Sequence, residues 1–161
     1  MVSAKLLKQY AFFKGFTEAE LKKFEELTSE QSFKAGYQIW KKGDQSKSLC
    51  LLDEGKVVMV RESYLGAHRP PMQVTVDIIT KGDVMGWSAV VEPYLYTLGA
   101  RCIDDTKVIT FDAEKLREIL NADKALGFKF MHAIAKVIAA RLTHTEIILV
   151  GERGLSVLTE L

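Results

Sequence analysis

Gly36, Gly43, Gly55, Gly82 and Gly86 cut residues 30–111 into short β-rich runs, and this punctuation limits the folds open to the chain more than any other feature. The clearest runs are Tyr37 to Trp40, Ser48 to Leu52, Lys56 to Arg61, Gln73 to Ile79, Ala100 to Ile103 and Lys107 to Phe111. Runs this short, separated by turn residues, suit antiparallel strands; an alternating β/α order would need a helical stretch between successive strands. Glu62 to Met72 carries Gly66, Pro70 and Pro71 and cannot continue a central strand, because proline has no amide for the ladder, so it reads as a long hairpin loop.

Helical spacing appears on both sides of this region. Residues 4–13 read as one short helix, and Thr17 with Glu20 has the spacing of a capping box ahead of an apolar stripe of Leu21, Phe24 and Leu27. After Phe111, Asp112 is placed to cap a helix with Leu116, Ile119 and Leu120 on one face. A last helix from about Asp123 to Val150 carries two apolar stripes: Met131, Ala135, Ile138, Leu142 and Leu149, and Phe130, Ile134, Val137 and Ile148. One stripe serves the core of the chain's own domain, so the second predicts a homodimer through the C-terminal helix.

The expected fold class is therefore α+β: an antiparallel β-roll (a double-stranded β-helix or jelly roll) flanked by N-terminal helices and a long C-terminal helix. The 161 residues suit one domain, with N-terminal helices in 1–29, the roll in 30–111 and C-terminal helices in 112–150. Hydrophobic residues at 48% and charged residues at 27% fit a packed globular chain. Lysine and arginine (22) nearly cancel aspartate and glutamate (21), so no overall field draws the chain to nucleic acid or to an anionic membrane. No run has the length of a signal-peptide core or a membrane span, which predicts a cytoplasmic protein with no membrane partner.

Catalytic apparatus is missing from the sequence. There is no Gly-rich phosphate loop with a following lysine, no nucleophile elbow and no recognisable carboxylate pair, so the chain is not expected to be an enzyme. His68, His132 and His144 lack metal-ligand spacing, and no metal or resident cofactor is expected. Cys50 and Cys102 lie far apart in apolar runs, as reduced core thiols would.

Five segments carry a family resemblance: FFKGFTEAELKKF (12–24), FKAGYQIWKKGD (33–44), LCLLDEGKVVMV (49–60), ITKGDVMGWSAV (79–90) and VITFDAEKL (108–116). Together they resemble the cyclic-nucleotide-binding domain of catabolite-activator-type regulators over roughly residues 10–145. The resemblance implies a short helix between two strands whose amides face the ligand phosphate, with a carboxylate for the ribose and an arginine for the phosphate. The matching stretch, 86–97, keeps Gly86, Ala89 and Thr97 but has Trp87 at the carboxylate position and Tyr96 at the arginine position. A neutral phenol does not replace a bidentate guanidinium, and neither Arg101 nor Glu92 restores the pair.

A small-molecule effector in the roll is thus expected, a nucleotide or an atypical ligand, with ordinary cyclic AMP disfavoured. The expected ligand-binding residues are Gly86, Trp87, Ser88, Ala89, Tyr96, Thr97 and, on the terminal helix that closes over the ligand in the family, Thr143 beside Arg141, His144 and Thr145. Trp87, Tyr94 and Tyr96 either line a pocket that stacks on a planar ligand or plug a vestigial one. The first reading gives an effector domain that signals through its dimer helix to a regulated protein partner. The second gives a ligand-free interaction or scaffold domain with its pocket filled by Trp87. A third is a haem-type sensor with His132, His144 or a cysteine as axial ligand. Only GERGLSVLTEL follows the last helix, too short for a helix-turn-helix, so no direct DNA binding is expected of the sequence as given.

Overall fold

The computed structural model describes residues 1–159. The chain begins with α1 (Ala4–Leu7), a 3-10 turn (Ala11–Phe13) and α2 (Glu18–Glu25). The strands follow: β1 (Thr28–Phe33), β2 (Gln38–Trp40), β3 (Ser48–Glu54), β4 (Val57–Ser63), β5 (Met72–Ile79), β6 (Val84–Met85), β7 (Gly99–Cys102) and β8 (Thr106–Asp112). A second 3-10 turn, Trp87–Ala89, interrupts the strands after β6, and α3 (Ala113–Ala122) and α4 (Lys124–Thr159) close the chain. The two four-stranded sheets run β1-β8-β3-β6 and β2-β7-β4-β5, with every pairing antiparallel, which is the expected β-roll.

β3 and β8 lie between two hydrophobic bodies, which is why their sequences read as unbroken apolar runs. Leu49, Leu51, Ile109 and Phe111 face the helices, while Cys50, Leu52 and Val108 face the roll interior. On the helical side, Phe13, Phe16, Phe24 and Phe130 meet largely edge to face, with centroids 5.6 Å apart for both Phe13–Phe16 and Phe24–Phe130. Leu126, Phe130 and Ile134 are the buried anchors of α4 in this cluster. The helix is also tied to α2. Glu20 completes the capping box with Thr17 and accepts the Lys129 ammonium at 2.8 Å, and that bond is the main cause holding the Glu20 carboxyl below its ordinary value.

Three elements differ from the sequence reading. The stretch 4–13 is broken, because Tyr10 is extended (φ −87°, ψ 140°) and its hydroxyl donates to Asp53 at 2.6 Å, a tertiary bond that a continuous helix would not reach. β1 is a polar edge strand with the pattern TSEQSF, recruited by its ladder to β8 and by a 2.7 Å Ser29–Thr110 hydroxyl contact. The terminal helix continues past Val150 to Thr159. Among the described residues no helix is long and apolar enough to cross a membrane.

Both cysteines are free and buried in the roll interior. Burial pushes the Cys50 thiol from its ordinary 9.0 up to about 12 and raises that of Cys102. The raised value means that the folded state keeps a proton which the unfolded chain releases. The contribution of Cys50 to stability is therefore fully present below pH 9 and is lost as the pH rises towards 12. We expect native Cys50 to resist a thiol reagent at pH 8 until denaturant is added. Labelling of the native protein as fast as of the unfolded chain would contradict the sealed interior.

Candidate functional site

β6 places the site. Its ladder to β3, Cys50 opposite Met85 and Leu51 opposite Val84, delivers the chain to Gly86 at the end of the roll. Gly86 takes φ +78°, and a Cβ there would come within 3.1 Å of the Ser48 carbonyl, 3.3 Å of the Tyr96 ring and 3.4 Å of the Trp40 ring. A glycine is needed both for the left-handed turn and for this close approach. The Trp87–Ala89 turn follows, with the Ala89 amide donating to the Gly86 carbonyl and the Val90 amide to that of Trp87. Arg117 of α3 fixes the turn from outside, donating at 2.7 Å to the Ala89 carbonyl while its guanidinium lies 4.3 Å from the Tyr94 ring centroid.

The interior of the site is occupied by the protein itself. Tyr96 is buried and stacks face to face on Trp40, with centroids 4.1 Å apart and planes 10° apart. The Tyr96 hydroxyl donates to the Ser48 carbonyl at 2.9 Å and accepts the Ser48 amide at 3.3 Å, so its phenol is satisfied in place. The Trp40 indole donates to the Leu98 carbonyl at 3.0 Å. What remains is a cavity of about 60 Å³, walled by Trp40, Tyr96, Trp87, Ser88, Thr97 and Thr145 among others.

α4 closes this cavity through one cluster. Arg141 donates at 2.7 Å to the Asp77 carboxylate on β5 and at 2.7 Å to the Val84 carbonyl, and both ends of the ion pair are largely buried. His144 Nδ1 stands 3.4 Å from the other Asp77 oxygen. The same guanidinium lies 5.5 Å from the centroid of Trp87. A paired and hydrogen-bonded ion of this kind holds its geometry strongly, because loss of one partner leaves the other charge poorly solvated.

Of the residues expected at the site, Gly86, Trp87, Ser88, Tyr96 and Thr97 surround the cavity. Ala89 is buried against the helical cluster, and Trp87 is half-buried and packs toward that cluster as well. Thr143 lies away from the cavity, its hydroxyl donating to the Ala139 carbonyl one turn back, and Thr145 takes the lining position. Arg101 and Glu92 are not in the wall; on β7, Ala100 and Cys102 point into the roll and Arg101, between them, points out. Trp40 and Asp77 are not among the residues expected from the sequence. Trp40 stands on a short strand before Gly43, and a large aromatic at that place was the available signal; nothing local marks Asp77 as the partner of a residue on the last helix.

The family model described as cyclic nucleotide-binding domain matches residues 30–123, more than half of the chain. This chain belongs to the cyclic nucleotide-binding domain family. Among solved structures, it is similar to a protein from Geobacter metallireducens GS-15 assigned as a cyclic nucleotide-binding protein. The two share 31% identity with a TM-score of 0.77 over 88% of this chain and 99% of that one. It also resembles in fold a cyclic nucleotide-binding domain from Methylobacillus flagellatus KT, at 14% identity and a TM-score of 0.76 over 92% of this chain and 81% of that one. A third is the catabolite activator protein of Thermus thermophilus, at 20% identity and a TM-score of 0.67, where the match covers 86% of this chain but 61% of that one. No curated protein sequence matches the chain. Within the cyclic nucleotide-binding domain family, then, this member keeps the glycine turn of the cassette and fills the space beside it with Trp40 and Tyr96.

Proposed function

We propose that this cyclic nucleotide-binding-type domain is a regulatory sensor whose output is the placement of α4 on the roll, and whose effector is not an ordinary cyclic nucleotide seated in the roll. The stacked Trp40–Tyr96 pair carries this reading. It leaves about 60 Å³, well under the roughly 300–1,000 Å³ of small-ligand sites. It also puts a neutral, fully hydrogen-bonded phenol where a phosphodiester would need a cation. Arg141, the guanidinium in the cavity wall, is already committed to Asp77 and Val84.

Signalling then becomes a population shift between α4 latched on the roll and α4 released, with the effector favouring one of the two. Phe128, Met131, Leu142 and Leu149 are exposed along α4, which supports a homodimer seam, or a regulated protein partner, that would read this movement. A cytoplasmic setting belongs to the same proposal. The small cavity also favours a second reading, a ligand-free interaction domain, with Trp40 and Tyr96 rather than Trp87 as the filling. The haem alternative has less support: His132 stacks beside Phe128, His144 is held by Asp77, and both thiols are enclosed in the roll.

Arg141→Ala tests the latch. Removing two charge-assisted bonds, each about 1.5–3 kcal/mol, should speed amide exchange in α4 from Val137 onward by at least about tenfold. The stretch around Phe130 and Ile134 should stay protected. Unchanged exchange along α4 would mean that the Arg141–Asp77 pair does not hold the helix on the roll.

A further inference from the structure

We infer that a second ligand site lies outside the roll, in the cleft between α4, the 11–16 turn and the β5–β6 connection, and that it takes an organic anion with an apolar body, such as a medium-chain carboxylate. The cleft encloses about 680 Å³, more than ten times the space left in the roll and within the range of small-molecule sites. Phe12, Phe16, Val84, Ala133, Val137 and Ala140 contribute its apolar wall. The small residues Ala133 and Ala140 of α4 face it at helical spacing and leave the depth open.

Charge at the cleft is net positive once its ion pairs are subtracted. Asp77 is paired with Arg141, with His144 Nδ1 3.4 Å away, and Asp83 accepts from the amide and hydroxyl of Thr80 but keeps its charge, one carboxylate against the two free ammonium groups. Lys129 is bound to Glu20. Lys14 and Lys136 line the cleft without a side-chain partner among the described residues, and His132 stands beside them. Two unpaired ammonium groups over an apolar wall suit a carboxylate head with a hydrocarbon body, and a neutral amphiphile would leave them unused.

The site also touches the latch. Arg141 borders both the cleft and the roll cavity, and His144 borders the cleft, so an occupant would contact the residue that grips Asp77 and the imidazole beside it. The cleft is thus placed to hold the effector of α4, a role that rests on the function proposed above.

Decanoate is the probe, titrated calorimetrically into the protein, with amide exchange of α4 followed in the same samples. The native protein should bind it with micromolar affinity and bind decanol at least tenfold more weakly. Ala133→Trp, which fills the cleft, and the surface pair Lys14→Glu/Lys136→Glu should each weaken decanoate at least tenfold. Bound decanoate should change exchange beyond Val137. No binding, or binding that both variants leave intact, overturns the site. Association with phosphatidylglycerol vesicles in place of free decanoate overturns the small-ligand form of it. Binding without any change in α4 exchange overturns the effector role. A failure of Arg141→Ala to release α4, with decanoate binding intact, instead counts against the proposed function and leaves the cleft standing.

Discussion

Trp40→Ala should cost about 3–5 kcal/mol of folding stability, the range for deleting a large buried aromatic when its surroundings relax only in part. The indole is buried in the roll interior, stacked on Tyr96 at 4.1 Å and bonded to the Leu98 carbonyl at 3.0 Å. Its loss removes the stacking partner, leaves the Leu98 carbonyl without that donor and opens a void next to Gly86. Trp40→Phe keeps a ring against Tyr96 and should cost roughly half as much, since some volume and the indole bond are lost. Urea unfolding followed by circular dichroism measures both. A cost below about 1 kcal/mol for the alanine variant would mean that the stack is peripheral and that the cavity closes without it.

Gly55→Ala should destabilise by more than about 3 kcal/mol, or prevent folding altogether. The residue turns the chain from β3 in one sheet to β4 in the other at φ +89°, and a Cβ there would stand 2.4 Å from the Asp105 carbonyl oxygen and 2.9 Å from Thr106 Cα. Those are backbone atoms at the entrance of β8, a strand that pairs on both sides, so relief requires shifting the ladder rather than a side chain. Gly43→Ala supplies the control. It has a similar φ of +88° with nothing within 4 Å of a Cβ, so it should cost only the left-handed penalty of about 1–2 kcal/mol. Equal losses in the two variants would show that the close approach at Gly55 carries no extra energy.

The roll was legible in the sequence because its strands are short, apolar and bounded by glycines that the fold places at positive φ, among them Gly43 and Gly55. β1 was not, because its polar residues alternate with no buried face; only its ladder to β8 makes it a strand. The break after Leu7 was hidden for a related reason, since Asp53, which holds Tyr10, lies on β3. At the site, the glycine turn and the exchange of arginine for Tyr96 could be read from the family resemblance. That Trp40 stacks on Tyr96, and that Asp77 grips Arg141 from 64 residues away, are tertiary facts with no local period or spacing to announce them. Thr143 and Thr145 show the limit at finer scale. They differ by about 200° around an ideal helix, so an uncertainty of two residues in the helix register decides which hydroxyl meets the cavity.

The cassette of this cyclic nucleotide-binding-type domain is closed by its own aromatic pair, and calorimetric titration of the native protein with cyclic AMP and cyclic GMP is the measurement that decides this. Neither nucleotide should give binding heat up to millimolar concentration. Saturable binding with a micromolar Kd, on the order of −8 kcal/mol, would contradict it. Such a result would mean that Trp40 and Tyr96 swing aside for the ligand and that this chain responds to a cyclic nucleotide despite Tyr96 at the arginine position.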